Sequence, residues 1–125
     1  MEYLREPPWA FDIELEIELN GHRIAATNAR ELYWSVAQQL AHLTANGASV
    51  RTGDLIGSGT ISGPERQQRG SLLELSWNGA EPIALPDGTE RAFLEDGDEV
   101  VLRGVAGAGE DAVALGEVRG RIVGS

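Results

Sequence analysis

The sequence predicts a mainly β protein with one helix, and three observations predict it. Apolar Phe11, Ile13, Leu15, Ile17 and Leu19 alternate with Asp12, Glu14, Glu16 and Glu18. That is the period-two pattern of a strand with one buried and one wet face. Only one segment carries a helical stripe, in which Leu32, Val36, Leu40 and Leu43 recur at spacings of three and four. The 16 glycines are spread along all 125 residues, as turns between short strands require.

The elements follow in order. The first strand ends at Asn20-Gly21, a hairpin signal, and His22 to Thr27 is its return strand. Asn28 can cap a helix running from Ala29 to Ala45, with Asn46-Gly47 as its stop. Tyr33, Ala37 and Ala41 widen its apolar stripe. Arg51 to Asp54 is a turn, and Gly63 to Gly70 is a polar loop. Ser71 to Trp77 reads as a strand with Leu73, Leu75 and Trp77 on one face and Leu72, Glu74 and Ser76 on the other. Asn78-Gly79 turns it into Ala80 to Ala84, and Pro86-Asp87-Gly88 turns the chain again. Glu95 to Asp98 is an acidic turn before a strand over Glu99 to Val105. Gly107-Ala108-Gly109 leads to strands at Val113 to Val118 and Ile122 to Val123. No repeat or linker divides residues 1–125, which read as a single unit.

Composition excludes several function classes. Twenty acidic and 10 basic side chains give a formal charge of −10, and every base is Arg. Nucleic acid and an anionic membrane both demand the opposite sign. With no cysteine, disulfide scaffolds, thiolate nucleophiles and cysteine-based zinc sites are ruled out, and a reducing, cytoplasmic setting fits. No apolar run approaches a membrane span, and Met1 to Trp9 lacks the apolar core of a signal peptide. The Arg-, Ala- and Gly-rich composition without Lys hints at a GC-rich bacterial genome.

Few residues could carry chemistry. The run Gly57-Ser58-Gly59-Thr60-Ile61-Ser62-Gly63-Pro64-Glu65 could bring backbone amides and hydroxyls to a ligand, although a tight glycine turn explains such a run more often. Glu74, between Leu73 and Leu75, is either a water-facing strand residue or a carboxylate held to orient an imidazole or move a proton. His22 follows a hairpin turn and is expected to face solvent. His42 lies near the helix end, where a cation suits the dipole. Both read as structural rather than catalytic. Glu95-Asp96-Gly97-Asp98-Glu99 lacks the spacing of a calcium loop and reads as a solvated turn. Glu14, Glu16 and Glu18 read as the wet face of a strand.

The order of several motifs resembles a known family. These are Tyr33-Trp34, Gln38-Gln39-Leu40-Ala41-His42, Asn46-Gly47, Gly53-Asp54-Leu55, Ser58-Gly59-Thr60-Ile61-Ser62-Gly63-Pro64-Glu65, Leu73-Glu74-Leu75-Ser76-Trp77 and Leu94-Glu95-Asp96-Gly97-Asp98-Glu99-Val100. From about Phe11 onward the chain resembles the C-terminal part of the fumarylacetoacetase family. The resemblance implies part of a mixed β-roll of that C-terminal domain type. It also implies hydrolysis of the carbon–carbon bond of fumarylacetoacetate to fumarate and acetoacetate, in tyrosine and phenylalanine catabolism. In that family a divalent cation (magnesium or calcium) chelates the diketone, a His activates water and a Glu orients that His. Carried onto this chain, the orienting carboxylate is Glu74. The substrate-contacting hydroxyl is Thr60, with Ser58 and Gly59 as further candidates.

The family's metal carboxylates, catalytic His and Lys lie upstream of the matched region, so no metal ligand is assigned to this chain. The expectation is a fragment, inactive alone, drawn from a homodimeric enzyme acting on a small diketo acid. Two alternatives stand beside it. One is a non-catalytic binding or complementing subunit. The other is a hydratase or decarboxylase of the same superfamily acting on another oxo acid. Strands without partners would leave open edges, so self-association is expected, and a monodisperse two-state monomer would contradict that.

Overall fold

The computed structural model describes residues 10–124, so the readings of Met1–Trp9 lie outside the described residues. Its strands are β1 (Ile13–Leu19), β2 (His22–Asn28), β3 (Ile83–Ala84), β4 (Glu90–Arg91), β5 (Glu99–Ala106) and β6 (Val113–Arg121). Its helices are α1 (Val36–Thr44) and α2 (Leu72–Leu75). The fold is mainly β with one main helix, as the alternation and the single helical stripe predict.

β1 and β2 form the expected hairpin. Asn20 and Gly21 take φ of 52° and 80°, the left-handed pair that a two-residue hairpin turn needs. β5 pairs with the other side of β1, and β6 pairs with β5, giving an antiparallel sheet in the order β2-β1-β5-β6. Ile17 stands opposite Leu102 and Leu19 opposite Val100, so one face is apolar. On the other face Glu16 stands opposite Arg103, which faces Glu117 on β6. The glutamate row is polar and ion-paired, but only Glu14 is exposed: Glu16 and Glu18 are half-buried, and Val101 opposite Glu18 is buried. Carboxylates on this face pair across strands: Glu18 with Arg103 at 2.5 Å, Arg103 with Glu117 at 3.1 Å and Arg119 with Glu99 at 2.5 Å. Leu19, Ala25, Leu75, Leu85 and Val101 are buried and make the core.

Several readings need correction. The helix expected from Ala29 is two elements. Asn28 does cap, but it caps a short 3₁₀ turn at Ala29–Glu31, after which Leu32 is extended. α1 starts at its own cap, Ser35, whose hydroxyl accepts from the Gln38 amide while the Gln38 side chain accepts from the Ser35 amide. Its stripe residues Val36, Leu40 and Leu43 are exposed rather than buried. The strand expected over Ser71 to Trp77 is a turn of helix: Ser71 caps α2, and Trp77 and Asn78 end it with φ of 52° and 56°. Leu75 is buried while Leu73 and Trp77 are exposed, so the three do not share a face. Ile122–Val123 is not a strand, and β6 runs unbroken to Arg121. Ala80 to Ala84 pairs only at Ile83–Ala84. No described helix is long and apolar enough to cross a membrane.

The acidic turn is the largest surprise in the polar residues. Asp98 is buried, not solvated. Arg91 donates to both its oxygens, Nε to Oδ2 at 2.9 Å and Nη2 to Oδ1 at 3.1 Å. Asn20 Nδ2 donates to Oδ1 at 2.8 Å, and the Glu95 amide donates to Oδ2 at 2.8 Å. Asn20 Oδ1 in turn accepts from the Glu99 amide at 2.9 Å. The Arg91 hydrogen bonds, against the cost of burial and with help from Asn20 and the Glu95 amide, lower the Asp98 pKa to about 2. One carboxylate thus ties the β1–β2 turn, β4 and the start of β5.

A depressed carboxylate pKa stabilises the fold above its unfolded value and loses that effect as pH falls through the folded value. The difference corresponds to about 2 kcal/mol. Asp98→Asn should lower stability at pH 7 by about 2 kcal/mol or more, because it also strands Arg91. In denaturant titrations across pH, the gap to the wild type should be full above pH about 4 and should close as pH approaches about 2.

Candidate functional site

The site is built around α2. Ser71 caps this helix, its hydroxyl accepting from the Glu74 amide at 3.3 Å. The same hydroxyl donates to Glu74 Oε2 at 3.1 Å. A second serine, Ser62, donates to the same oxygen at 2.6 Å and accepts from the Gly70 amide at 3.0 Å. Each hydroxyl has a single proton. Since each already receives a backbone N–H, both protons are committed to the carboxylate. Oε2 is thereby clamped, while Oε1 has no partner among the described residues.

The loop that carries Ser62 is held by contact rather than by secondary structure. A Cβ on Gly70 would stand 2.3 Å from the Ile61 carbonyl oxygen and 2.9 Å from Thr60 Cγ2, so only glycine permits this approach. The Gly63 amide donates to the Gln68 carbonyl at 3.0 Å. Arg69 donates to the Glu74 carbonyl at 3.0 Å, and its guanidinium lies 5.1 Å from the centre of the Trp77 ring. Arg66 donates to the Leu75 carbonyl at 3.3 Å. The end of α2 is therefore fixed from two sides.

The residues singled out in the sequence fall into two groups. Thr60 and Glu74 come together through Gly70 and Ser62. Glu74 does so from a half-buried helical position rather than from a strand. Ser58 and Gly59 lie in the exposed stretch 51–60, and the Ser58 hydroxyl donates to the Gly59 carbonyl at 3.0 Å. Gly57 and Gly59 have nothing packed where a Cβ would be, so this end of the run is open rather than a tight packed turn. His22 sits at the start of β2, half-buried rather than facing solvent as expected, and His42 is exposed in the last turn of α1. Ser62, Ser71 and Gly70 were not assigned a role toward Glu74, although Ser62 lies in the candidate ligand run. Ser71-Leu72-Leu73-Glu74 is nonetheless a Ser-x-x-Glu helix-start signature, legible in the sequence.

Beside this clamp an apolar pocket of about 370 Å³ opens between the sheet and α2. Ile17, Ile24, Leu72, Leu75, Phe93 and Leu102 line it, with Gly70 and Ser71 on its wall. It offers no charged group to orient a polar ligand. Among the described residues no three of His, Asp and Glu gather so as to hold a metal ion.

Gly70→Ala tests how the site is held. Forcing a methyl against the Ile61 carbonyl should cost about 1–3 kcal/mol, the usual range for overpacking. In amide NMR spectra the largest shifts should fall on Ile61, Ser62 and Glu74, while β1 and β5 stay unmoved.

The sequence has counterparts in known proteins. Residues 3–123 match the sequence profile described as fumarylacetoacetate (FAA) hydrolase C-terminal. Fumarylacetoacetase FahA of Aspergillus fumigatus is 50% identical over 130 residues, covering 98% of this chain and 30% of that protein. The fumarylacetoacetase of Caenorhabditis elegans is 46% identical, with 94% of this chain and 29% of the relative covered. The human fumarylacetoacetase is 42% identical, with 94% and 30% covered. The chain thus spans about 30% of the length of these curated relatives. With nearly its whole length inside the profile, this chain belongs to the fumarylacetoacetate hydrolase C-terminal family.

Proposed function

We propose that this chain supplies one side of an active site that hydrolyses the carbon–carbon bond of fumarylacetoacetate, a small diketo acid, to fumarate and acetoacetate. The observation that carries this reading is the Glu74 carboxylate, clamped at Oε2 by Ser62 and Ser71 and open at Oε1. The names and identities of the relatives support the same reaction.

The reaction sets the roles. Water loses a proton as it adds to the carbonyl on the fumaryl side. The carbon–carbon bond then breaks with its electron pair going to the acetoacetate carbon, which takes up a proton. A carboxylate with one free oxygen suits the holding of an imidazole N–H, fixing the tautomer that accepts the water's proton and stabilising the charge it gains. Glu74 is assigned that role, and the imidazole would come from outside this chain. Thr60, packed on Gly70, is assigned a hydrogen bond to the substrate, with Ser58 and Gly59 beside it in the open stretch. The divalent cation of the family resemblance finds no ligand set among the described residues, and no step is assigned to it. The β-roll, a homodimeric assembly and a cytoplasmic setting belong to the same proposal. The bacterial origin rests on the Lys-free composition alone, since the relatives named above are eukaryotic.

The chain alone, with magnesium or calcium, should leave the diketone absorbance of fumarylacetoacetate unchanged. Co-expression with the remaining portion of a fumarylacetoacetase should restore turnover. Glu74→Gln in that assembly should then reduce kcat by about 10²-fold or more, because the amide cannot stabilise an imidazolium. Turnover by the chain alone, or full activity in Glu74→Gln, would overturn the assignment.

A further inference from the structure

We propose that Ser62 is a positioning residue for the carbon–carbon bond hydrolysis. Its hydroxyl fixes the plane in which Glu74 offers Oε1 to the imidazole, and it ties that carboxylate to the loop that carries Thr60. The inference rests on the assignment of Glu74 as the carboxylate that holds the imidazole N–H.

Two observations separate Ser62 from Ser71. The first is the bond each makes. Ser62 Oγ stands 2.6 Å from Glu74 Oε2, within the range of a charge-assisted hydroxyl–carboxylate bond, whereas Ser71 Oγ stands at 3.1 Å. The second is what else each hydroxyl does. Ser71 caps α2, and a serine is favoured there whatever Glu74 does. Ser62 caps no helix. It lies 12 residues before Glu74, half-buried in a stretch that is neither helix nor strand. Its hydroxyl joins Glu74 Oε2 on one side to the Gly70 amide on the other. The last torsion of a glutamate has broad minima, so a carboxylate held by one donor can still turn. Donors from two chain segments, the loop and the helix start, set its plane and leave Oε1 pointing one way. An acceptor already in place loses little freedom when it takes an imidazole N–H.

The same loop carries the substrate contact. Gly70 approaches the Ile61 carbonyl and Thr60 Cγ2 too closely for any side chain, and its amide is the donor that turns the Ser62 hydroxyl. Thr60, assigned to the substrate, and Glu74, assigned to the imidazole, are thereby held to one another across Gly70 and Ser62. The placement of the imidazole relative to the substrate is thus set in part within this chain.

Ser62→Ala, in the assembly co-expressed with the remaining portion of a fumarylacetoacetase, tests the role. Turnover should fall about tenfold in kcat while KM stays within about twofold, because the lost bond acts on the base and not on bound substrate. The acidic limb of the kcat/KM profile, which reports the imidazole, should move down by about half a pH unit or more. Glu74→Gln should move it the same way, since a carboxylate that wanders supports a charged imidazole less. In the chain alone, hydrogen exchange at the Gly70 amide should quicken about tenfold, while the Glu74 amide, held by Ser71, keeps its rate. If Ser62→Ala does not assemble, Ser62→Cys, whose thiol donates weakly, takes its place and the same limb decides. An unmoved or upward limb, a loss confined to KM, or faster exchange at the Glu74 amide as well would each refute the proposal. Full activity in Glu74→Gln, or an assembly that never turns over, removes the wider reading and this one with it. Activity lost in Glu74→Gln but intact in Ser62→Ala removes only the role of Ser62.

Discussion

The buried carboxylate of Asp98 is the constraint on which the sheet depends. A charge in that place is tolerated only because donors from three directions meet it: Arg91 from β4, Asn20 from the hairpin turn and the amide of Glu95. Each donor comes from a segment with few other ties. Asn20 is bound into the strained turn at φ 52°, and β4 is two residues long. Once the carboxylate is satisfied, the β1–β2 turn cannot slide relative to β5. Sliding by one residue would move every leucine and isoleucine of β1 to the charged face. Register is thus set by a polar contact at the end of the sheet, and the apolar face follows from it.

The clamp on Glu74 uses the same logic on a smaller scale. A half-buried carboxylate needs donors, and α2 is too short to supply them from its own backbone. Two serines do so, each turned by a backbone amide so that its proton can point only one way. The outcome is a carboxylate fixed in its plane with one oxygen spent and one free. A surface glutamate on a four-residue helix would gain nothing from this arrangement. The close approach at Gly70 shows that the chain gives up side-chain volume to bring Ser62 there.

How much of this was legible in the sequence depends on the range of the interaction. The β1 alternation and the Asn20-Gly21 turn are local patterns, and each lies where it was read, while of the helical stripe only Val36, Leu40 and Leu43 fall in α1. The start of α1 was misplaced and α2 was read as a strand, although Ser35-Val36-Ala37-Gln38 and Ser71-Leu72-Leu73-Glu74 both carry the capping signature. At Ser71 the leucines on either side of Glu74 imitated strand alternation, and four residues are too few for periodicity to separate the two. Asp98 was misread for a different reason. Nothing in Glu95-Asp96-Gly97-Asp98-Glu99 distinguishes the one acid that meets both Arg91 and Asn20 from the three that do not bury. That choice is made by residues 7 and 78 positions away. Thr60 and Glu74 were assigned through family resemblance, whereas the clamp that Ser62 places on Glu74 needed coordinates.

α1 makes the final point about what the chain leaves open. A helix of nine residues is marginal in water on propensity alone and ordinarily persists because an apolar face is buried. Here Val36, Leu40 and Leu43 are exposed, and so are Tyr33 and Trp34, stacked edge to face at 4.8 Å just before it. Local devices compensate: the Ser35–Gln38 box at one end, and the Thr44 hydroxyl donating to the Leu40 carbonyl at the other. Caps determine where a helix begins and ends, but they bury no apolar surface. The stripe on α1, the pocket beside α2 and the apolar side of β6 are therefore surfaces whose stability comes from whatever covers them. Glu14, Glu16 and Glu18 stand on the face of the sheet opposite Ile17 and Leu102.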